Sequence, residues 1–179
     1  IDENHIRIYA CGPTVYNYAH IGNARMAVVC DLLVRFLKSI YPKVTYVSNI
    51  TDIDDKIIST ALESNIPIKE LTSKYEKIYN QNMSELHVLK PDIQPRATEH
   101  INEMIELIDK LIIKNNAYIS KNHVLFDVTS YKNYGLLSGR NKEDQIAGSR
   151  VKVADYKKNS GDFILWKPST NDQPGWESP

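Results

Sequence analysis

The sequence has 179 residues, 42% hydrophobic and 25% charged, which is enough for one core, or one core plus a small appendage. Lys+Arg and Asp+Glu both number 22, so the strongly basic footprint of a nucleic-acid-binding surface is absent from the composition, although charge alone leaves such a partner open. The two cysteines do not make a secreted disulfide framework, and no apolar run approaches the ~18 residues of a membrane span.

The predicted elements run in this order. Residues Ile6–Ala10 have the composition of a buried strand, and Gly12 and Pro13 break it. A helix is predicted over 22–39. It is apolar on most sides and therefore expected to be largely buried, with one polar strip at Asp31, Arg35 and Lys38. Tyr41-Pro42 ends it, and the β-branched and aromatic run Val44–Ser48 is a second strand. Thr51 and Asp52 are expected to cap a helix with Ile53, Ile57, Ile58, Ala61 and Leu62 on one side and an acidic first turn. Pro67 opens a further helix, with Ile68, Leu71, Tyr75, Ile78 and Leu86 on one face, and Pro91 and Pro95 mark a break. Thr98 is expected to cap a helix whose apolar residues Ile101, Met104, Ile105, Ile108, Leu111 and Ile112 keep strict helical spacing. Ala117–Ser120 reads as a third core strand, residues 124–128 as a short strand, and Phe163–Trp166 as a strand returning to the main sheet. Strand–helix alternation in the first part predicts an α/β fold with a Rossmann-like parallel sheet, and 121–160 a small β-rich insertion.

The chemistry concentrates in residues 9–25, between the first strand and the first helix. Parallel sheets present ligands there, outside a strand's carboxyl end and next to a helix N-terminus. His20 in His20-Ile21-Gly22-Asn23 reads either as a phosphate ligand or as a helix cap. Neither Gly-x-Gly-x-x-Gly nor Gly-x-x-x-x-Gly-Lys occurs, so a nucleotide must be held in another way. Cys11 is either a buried thiol or a metal ligand, and one Cys cannot make a zinc site alone. Cys30, inside the helix, reads as a small hydrophobe. Asp52, Asp54 and Asp55 are either a Mg²⁺-binding group or simply an acidic first turn. Both thiols are expected to be reduced and the protein cytoplasmic, with no signal peptide visible.

Taken together, Tyr9-Ala10-Cys11-Gly12-Pro13-Thr14-Val15-Tyr16-Asn17-Tyr18-Ala19-His20-Ile21-Gly22-Asn23 and Tyr46-Val47-Ser48-Asn49-Ile50-Thr51-Asp52-Ile53-Asp54-Asp55-Lys56 resemble the class I aminoacyl-tRNA synthetases, specifically the cysteinyl-tRNA synthetases. The likeness continues through Pro95-Arg96-Ala97-Thr98, Phe126-Asp127-Val128, Tyr134-Gly135 and Asp162-Phe163, in order along nearly the whole chain. The resemblance implies activation of L-cysteine by ATP, with Mg²⁺, and transfer of the cysteinyl group to tRNA(Cys). It implies that His20, Ile21, Gly22 and Asn23 bind ATP, with His20 and Asn23 acting in catalysis. It implies that Gly12, Thr14 and Thr51 line the cysteine pocket, and that Cys11 is one ligand of a Zn²⁺. Zinc would favour a thiolate over a hydroxyl through ligand softness, which shape alone does poorly.

The implied organisation is a first half of a catalytic domain over 1–120, a connective-peptide insertion over 121–160, and a return strand over 161–179. Asn23 departs from the usual His-Ile-Gly-His ending, and an amide still offers a donor to a phosphate or ribose oxygen. No Lys-Met-Ser motif and no second zinc cysteine follow, and Ile1 is not a start residue. The chain is therefore expected to be the first portion of a synthetase, inactive alone, and monomeric in full-length form. The rival expectations are a ligase joining cysteine to an amino sugar and a non-catalytic nucleotide-binding module.

Overall fold

The computed structural model describes residues 2–139 and 154–178. The chain forms two compact units, Ile1–Ile101 and Asn102–Pro179. Residues 140–153 of the expected insertion, with the start of the charged stretch 152–158, lie outside the described residues.

In the first unit, β1 (Ile6–Ala10) pairs in parallel with β2 (Val44–Ser48), Ile6 opposite Val44 and Ala10 opposite Ser48. Helix α1 (Ile21–Ile40) links them, as parallel pairing requires. Its end is set where the Tyr41 amide donates to the Leu37 carbonyl, just ahead of Pro42. A third extended lane runs beside β2. The Ser48 amide donates to Ile93 O at 3.1 Å, Ile50 N to Pro95 O at 2.8 Å and Ala97 N to Ile50 O at 3.0 Å. The sequence reading takes Pro91 and Pro95 as a break, yet Pro95 serves this lane as an acceptor, the one ladder role a proline keeps. The order is thus the 93–96 lane, β2, β1, with β1 at the edge among the described residues.

Helix α2 (Asp55–Ser64) begins later than expected. Its cap is Asp54, whose carboxylate accepts from Lys56 N at 2.9 Å. Thr51 is still extended, bridged in parallel to Thr14, and Asp52 is engaged elsewhere. Asn65 closes α2 in the left-handed conformation, φ 52°, which asparagine tolerates. Helix α3 (Ile68–Glu85) follows Pro67 and buries Leu71, Thr72, Tyr79 and Met83. Leu86, expected on that face, ends the helix and is exposed. Ile57, Ala61 and Leu71 form one core cluster, and Ala27, Tyr79 and Met83 another. The expectation that α1 is largely buried fails. Only Ala27 and Val34 are buried, while Val28, Val29, Leu32, Leu33 and Phe36 are exposed. The sheet covers one side of α1, and its remaining apolar residues have no comparable cover among the described residues.

The second unit holds α4 (Ile101–Ile113) and an antiparallel sheet of β3 (Ala117–Ser120), β4 (His123–Phe126) and β5 (Phe163–Trp166). Lys121 and Asn122, both at positive φ, make the two-residue turn between β3 and β4. Ile108, Ala117 and Val124 pack with Leu165 and Trp166. Ala117–Ser120 and Phe163–Trp166, expected to belong to the main sheet, therefore pair with β4 instead. Asp162, 1% exposed, accepts from Tyr118 OH at 2.7 Å, Val128 N at 3.1 Å and Asn159 N at 2.9 Å.

Candidate ATP and amino-acid site at the end of β1

The site is built on the ends of two parallel strands in register. Because Ala10 lies opposite Ser48, the segments leaving β1 and β2 run side by side. Gly12 sits against Asn49, and its amide donates to Asn49 Oδ1 at 2.9 Å. A Cβ on Gly12 would fall 1.6 Å from the Asn49 carbonyl oxygen, so no other residue fits there without moving the backbone. Tyr9 OH donates to the same Oδ1 at 2.9 Å, and Asn49 Nδ2 donates to Thr51 Oγ1 at 3.0 Å. Beyond this point Thr51 N donates to Pro13 O and Val15 N to Thr51 O, aligning Thr14 with Thr51. Cys11 is exposed at the strand's end, its Sγ 3.8 Å from Gly12 O.

His20 is the N-cap of α1. Its Nδ1 accepts from Gly22 N at 3.0 Å, and Asn23 Oδ1 accepts from His20 N at 3.0 Å. This is a reciprocal capping box with imidazole and amide in place of the usual hydroxyl and carboxylate. Gly22 is needed for it, since a Cβ there would lie 2.9 Å from His20 Cε1. An accepting Nδ1 carries no proton, so the neutral ring has its N–H at Nε2. Cap and phosphate donor are thus compatible roles for one side chain, using opposite nitrogens. The amides of Asn23 and Ala24 are also taken, both by the His20 carbonyl. What the helix start offers an anion is therefore the Nε2–H, the backbone N–H of Ile21, the Asn23 side-chain amide and the dipole of a 20-residue helix.

A cleft of about 230 Å³ joins these elements, with Gly12, Thr14, His20 and Asn23 on its wall beside Tyr16, Lys56 and Tyr79. Ile21, Gly22, Cys11 and Thr51 are off that wall, and Thr51 is linked to it through Thr14 and Asn49. Burial pushes the Tyr79 hydroxyl up to about 12, so it stays protonated. The three carboxylates of residues 52–55 do not gather. Asp52, buried, accepts from Thr98 N at 3.0 Å and Thr98 Oγ1 at 2.5 Å, and Asp54 caps α2. Thr98 therefore anchors to Asp52 rather than capping α4, and it lies in the short 3-10 turn Ala97–His100. Among the described residues no three His, Cys, Asp or Glu side chains converge on a possible metal position. Zinc takes three or four protein ligands, so Cys11 by itself does not fit the ion.

Asn49, part of the Tyr46–Lys56 motif, is not among the site residues expected from the sequence. The signal was available, because two parallel strands ending in register bring the residues after each together.

A parallel sheet with a loop-and-helix site at the carboxyl end of its edge strand defines an α/β protein of the Rossmann-like class, a fold that presents ligands at that end. Solved structures share this fold. Methionyl-tRNA synthetase of Mycobacterium tuberculosis bound by methionyl-adenylate matches with TM-score 0.56 at 18% identity, over 65% of this chain and 23% of that one. A Campylobacter jejuni structure assigned as an arginyl-tRNA synthetase matches with TM-score 0.61 at 14% identity, over 75% and 40%. The chain belongs to the family of class I (C) tRNA synthetase catalytic domains, which it matches over residues 1–179. It is 55% identical to the cysteine–tRNA ligase of Parvibaculum lavamentivorans over 99% of this chain and 38% of that protein. It is 53% identical to that of Rhodospirillum rubrum over 100% and 39%. The chain thus spans about two fifths of the length of these relatives.

Proposed function

We propose that this chain is the ATP- and cysteine-binding part of a cysteine–tRNA ligase. The observation that carries the reading is the single cleft lined by Gly12, Thr14, His20 and Asn23, which joins the end of β1 to the start of α1. A carboxylate oxygen of L-cysteine attacks the α-phosphorus of ATP. The bond to pyrophosphate breaks, and cysteinyl-adenylate forms. A ribose hydroxyl at the 3′ end of tRNA(Cys) then attacks the carbonyl carbon and releases AMP.

His20 Nε2–H and the Asn23 amide donate to phosphate oxygens as their charge grows, and the α1 dipole adds to that field. Gly12, Thr14 and Thr51 position the amino acid. Mg²⁺ accompanies the nucleotide. Cys11 would supply one zinc ligand, with the others from residues outside those described. In this reading residues 121–160 are a connective peptide between parts of the catalytic domain, and the whole protein is a cytoplasmic monomer.

The test is acceptor choice by the full-length protein. Radiolabelled cysteine should be transferred to tRNA(Cys) in an ATP-dependent way. Transfer to an amino sugar with none to tRNA would replace the reading by that of a sugar ligase. Adenylate formation with no acceptor used would leave only the first step.

A further inference from the structure

Asn49 has three hydrogen bonds whose directions are all fixed. The Gly12 N–H can only donate, so the Asn49 atom facing it at 2.9 Å is the carbonyl oxygen. The Tyr9 hydroxyl reaches the same oxygen. The amide nitrogen must then face Thr51, where it donates to Oγ1 at 3.0 Å. The Thr51 hydroxyl is thereby an acceptor toward Asn49, and its own proton has no acceptor among the described residues.

We propose that Asn49 is a positioning residue for amino-acid recognition, holding the Thr51 hydroxyl as a hydrogen-bond donor for the substrate while it clamps the Gly12 peptide. This rests on the reading of Gly12 and Thr51 as cysteine-binding residues. A hydroxyl can serve either as donor or as acceptor, and a rotating one selects weakly. Asn49 removes that choice, so Thr51 offers a proton to an acceptor atom of the bound amino acid without having to give up another bond. The clamp on Gly12 fixes a residue of the cleft wall, in a space where a Cβ would meet the Asn49 carbonyl oxygen at 1.6 Å.

Asn49→Asp tests the direction of the bond with almost no change of shape. Its carboxylate still accepts from Gly12 and Tyr9, but an oxygen now faces Thr51, whose proton turns toward it and away from substrate. In the full-length protein, cysteine-dependent ATP–pyrophosphate exchange should show a KM for cysteine raised about tenfold or more, with the KM for ATP within about twofold. Thr51→Val removes the donor altogether, and the double variant should be no worse than Thr51→Val alone, because both changes delete one interaction. Should Asn49→Asp not fold, Asn49→Ala adds no charge; it leaves the Thr51 hydroxyl unoriented and Gly12 unclamped, and should also raise the KM for cysteine while the KM for ATP stays within about twofold. Equal increases in both KM values, no change in either, or additive losses in the double variant would overturn the proposal. Absence of cysteine-dependent exchange in the wild type would instead overturn the functional reading on which it rests.

Discussion

Gly12 is fixed by space rather than by backbone conformation. Its amide is held by Asn49, and the Asn49 carbonyl occupies the position of a Cβ. Gly12→Ala should destabilise the protein by about 1–3 kcal/mol, the usual range for forced overpacking, read as a fall in the urea midpoint. His20 is constrained through its ring. His20→Ala should cost about 1 kcal/mol as a lost cap, and should lower exchange activity far more than that loss of stability accounts for. His20→Asn separates the two effects, restoring the cap and much of the stability but not the rate. Much of this candidate site was legible in the chain, since Cys11-Gly12 follows the end of β1 and His20-x-Gly22 sits at the start of α1. Two details were not. The Gly12 requirement depends on a residue 37 positions away. The spacing of His20 and Gly22 fits a cap and a phosphate site equally well, and only the bond at Nδ1 shows that the ring can serve both.

At the scale of elements, the tie between Asp52 and Thr98 joins the segment after β2 to the turn before α4. Asp52 is 8% exposed and takes both donors of Thr98. Thr98→Val keeps the shape and deletes the hydroxyl donor. It should cost about 1–3 kcal/mol in denaturant unfolding, because a buried carboxylate loses a partner. Asp54→Ala should cost about 1 kcal/mol by uncapping α2, read as a fall in the urea midpoint. β1 and β2 could be read directly from composition and their bounding turn residues. The 93–96 lane could not, because prolines argue against a strand and only its edge position makes them acceptable. β3 and β5 were recognisable as strands, but their partners were not, since a short apolar run does not encode which sheet it joins. The apolar residues of α1 predicted burial by count, whereas exposure depends on what lies opposite them.

For the whole molecule, the two compact units carry different buried hydroxyls, and both bear on pH. In the second unit, burial and then the bond to Asp162 push Tyr118 up to about 12. In the first, burial, with smaller contributions from Tyr46 and Cys30, does the same for Tyr79. A group with a raised folded pKa binds its proton more tightly when folded. Its contribution is therefore complete below the ordinary tyrosine value of 10.0 and is lost as pH rises toward about 12. The urea midpoint should fall across that window. Tyr118→Phe should be less stable than wild type below it, and the gap should narrow as pH increases. The proposed amino-acid activation rests on membership of the class I (C) family and on the cleft at the end of β1. The direct test is ATP–pyrophosphate exchange by the full-length protein and its His20→Ala variant, with cysteine and serine compared. Exchange that requires cysteine, is at background with serine and falls about 100-fold or more in the variant is the predicted result. No exchange with cysteine, equal exchange with serine, or an unimpaired His20→Ala variant would contradict the account.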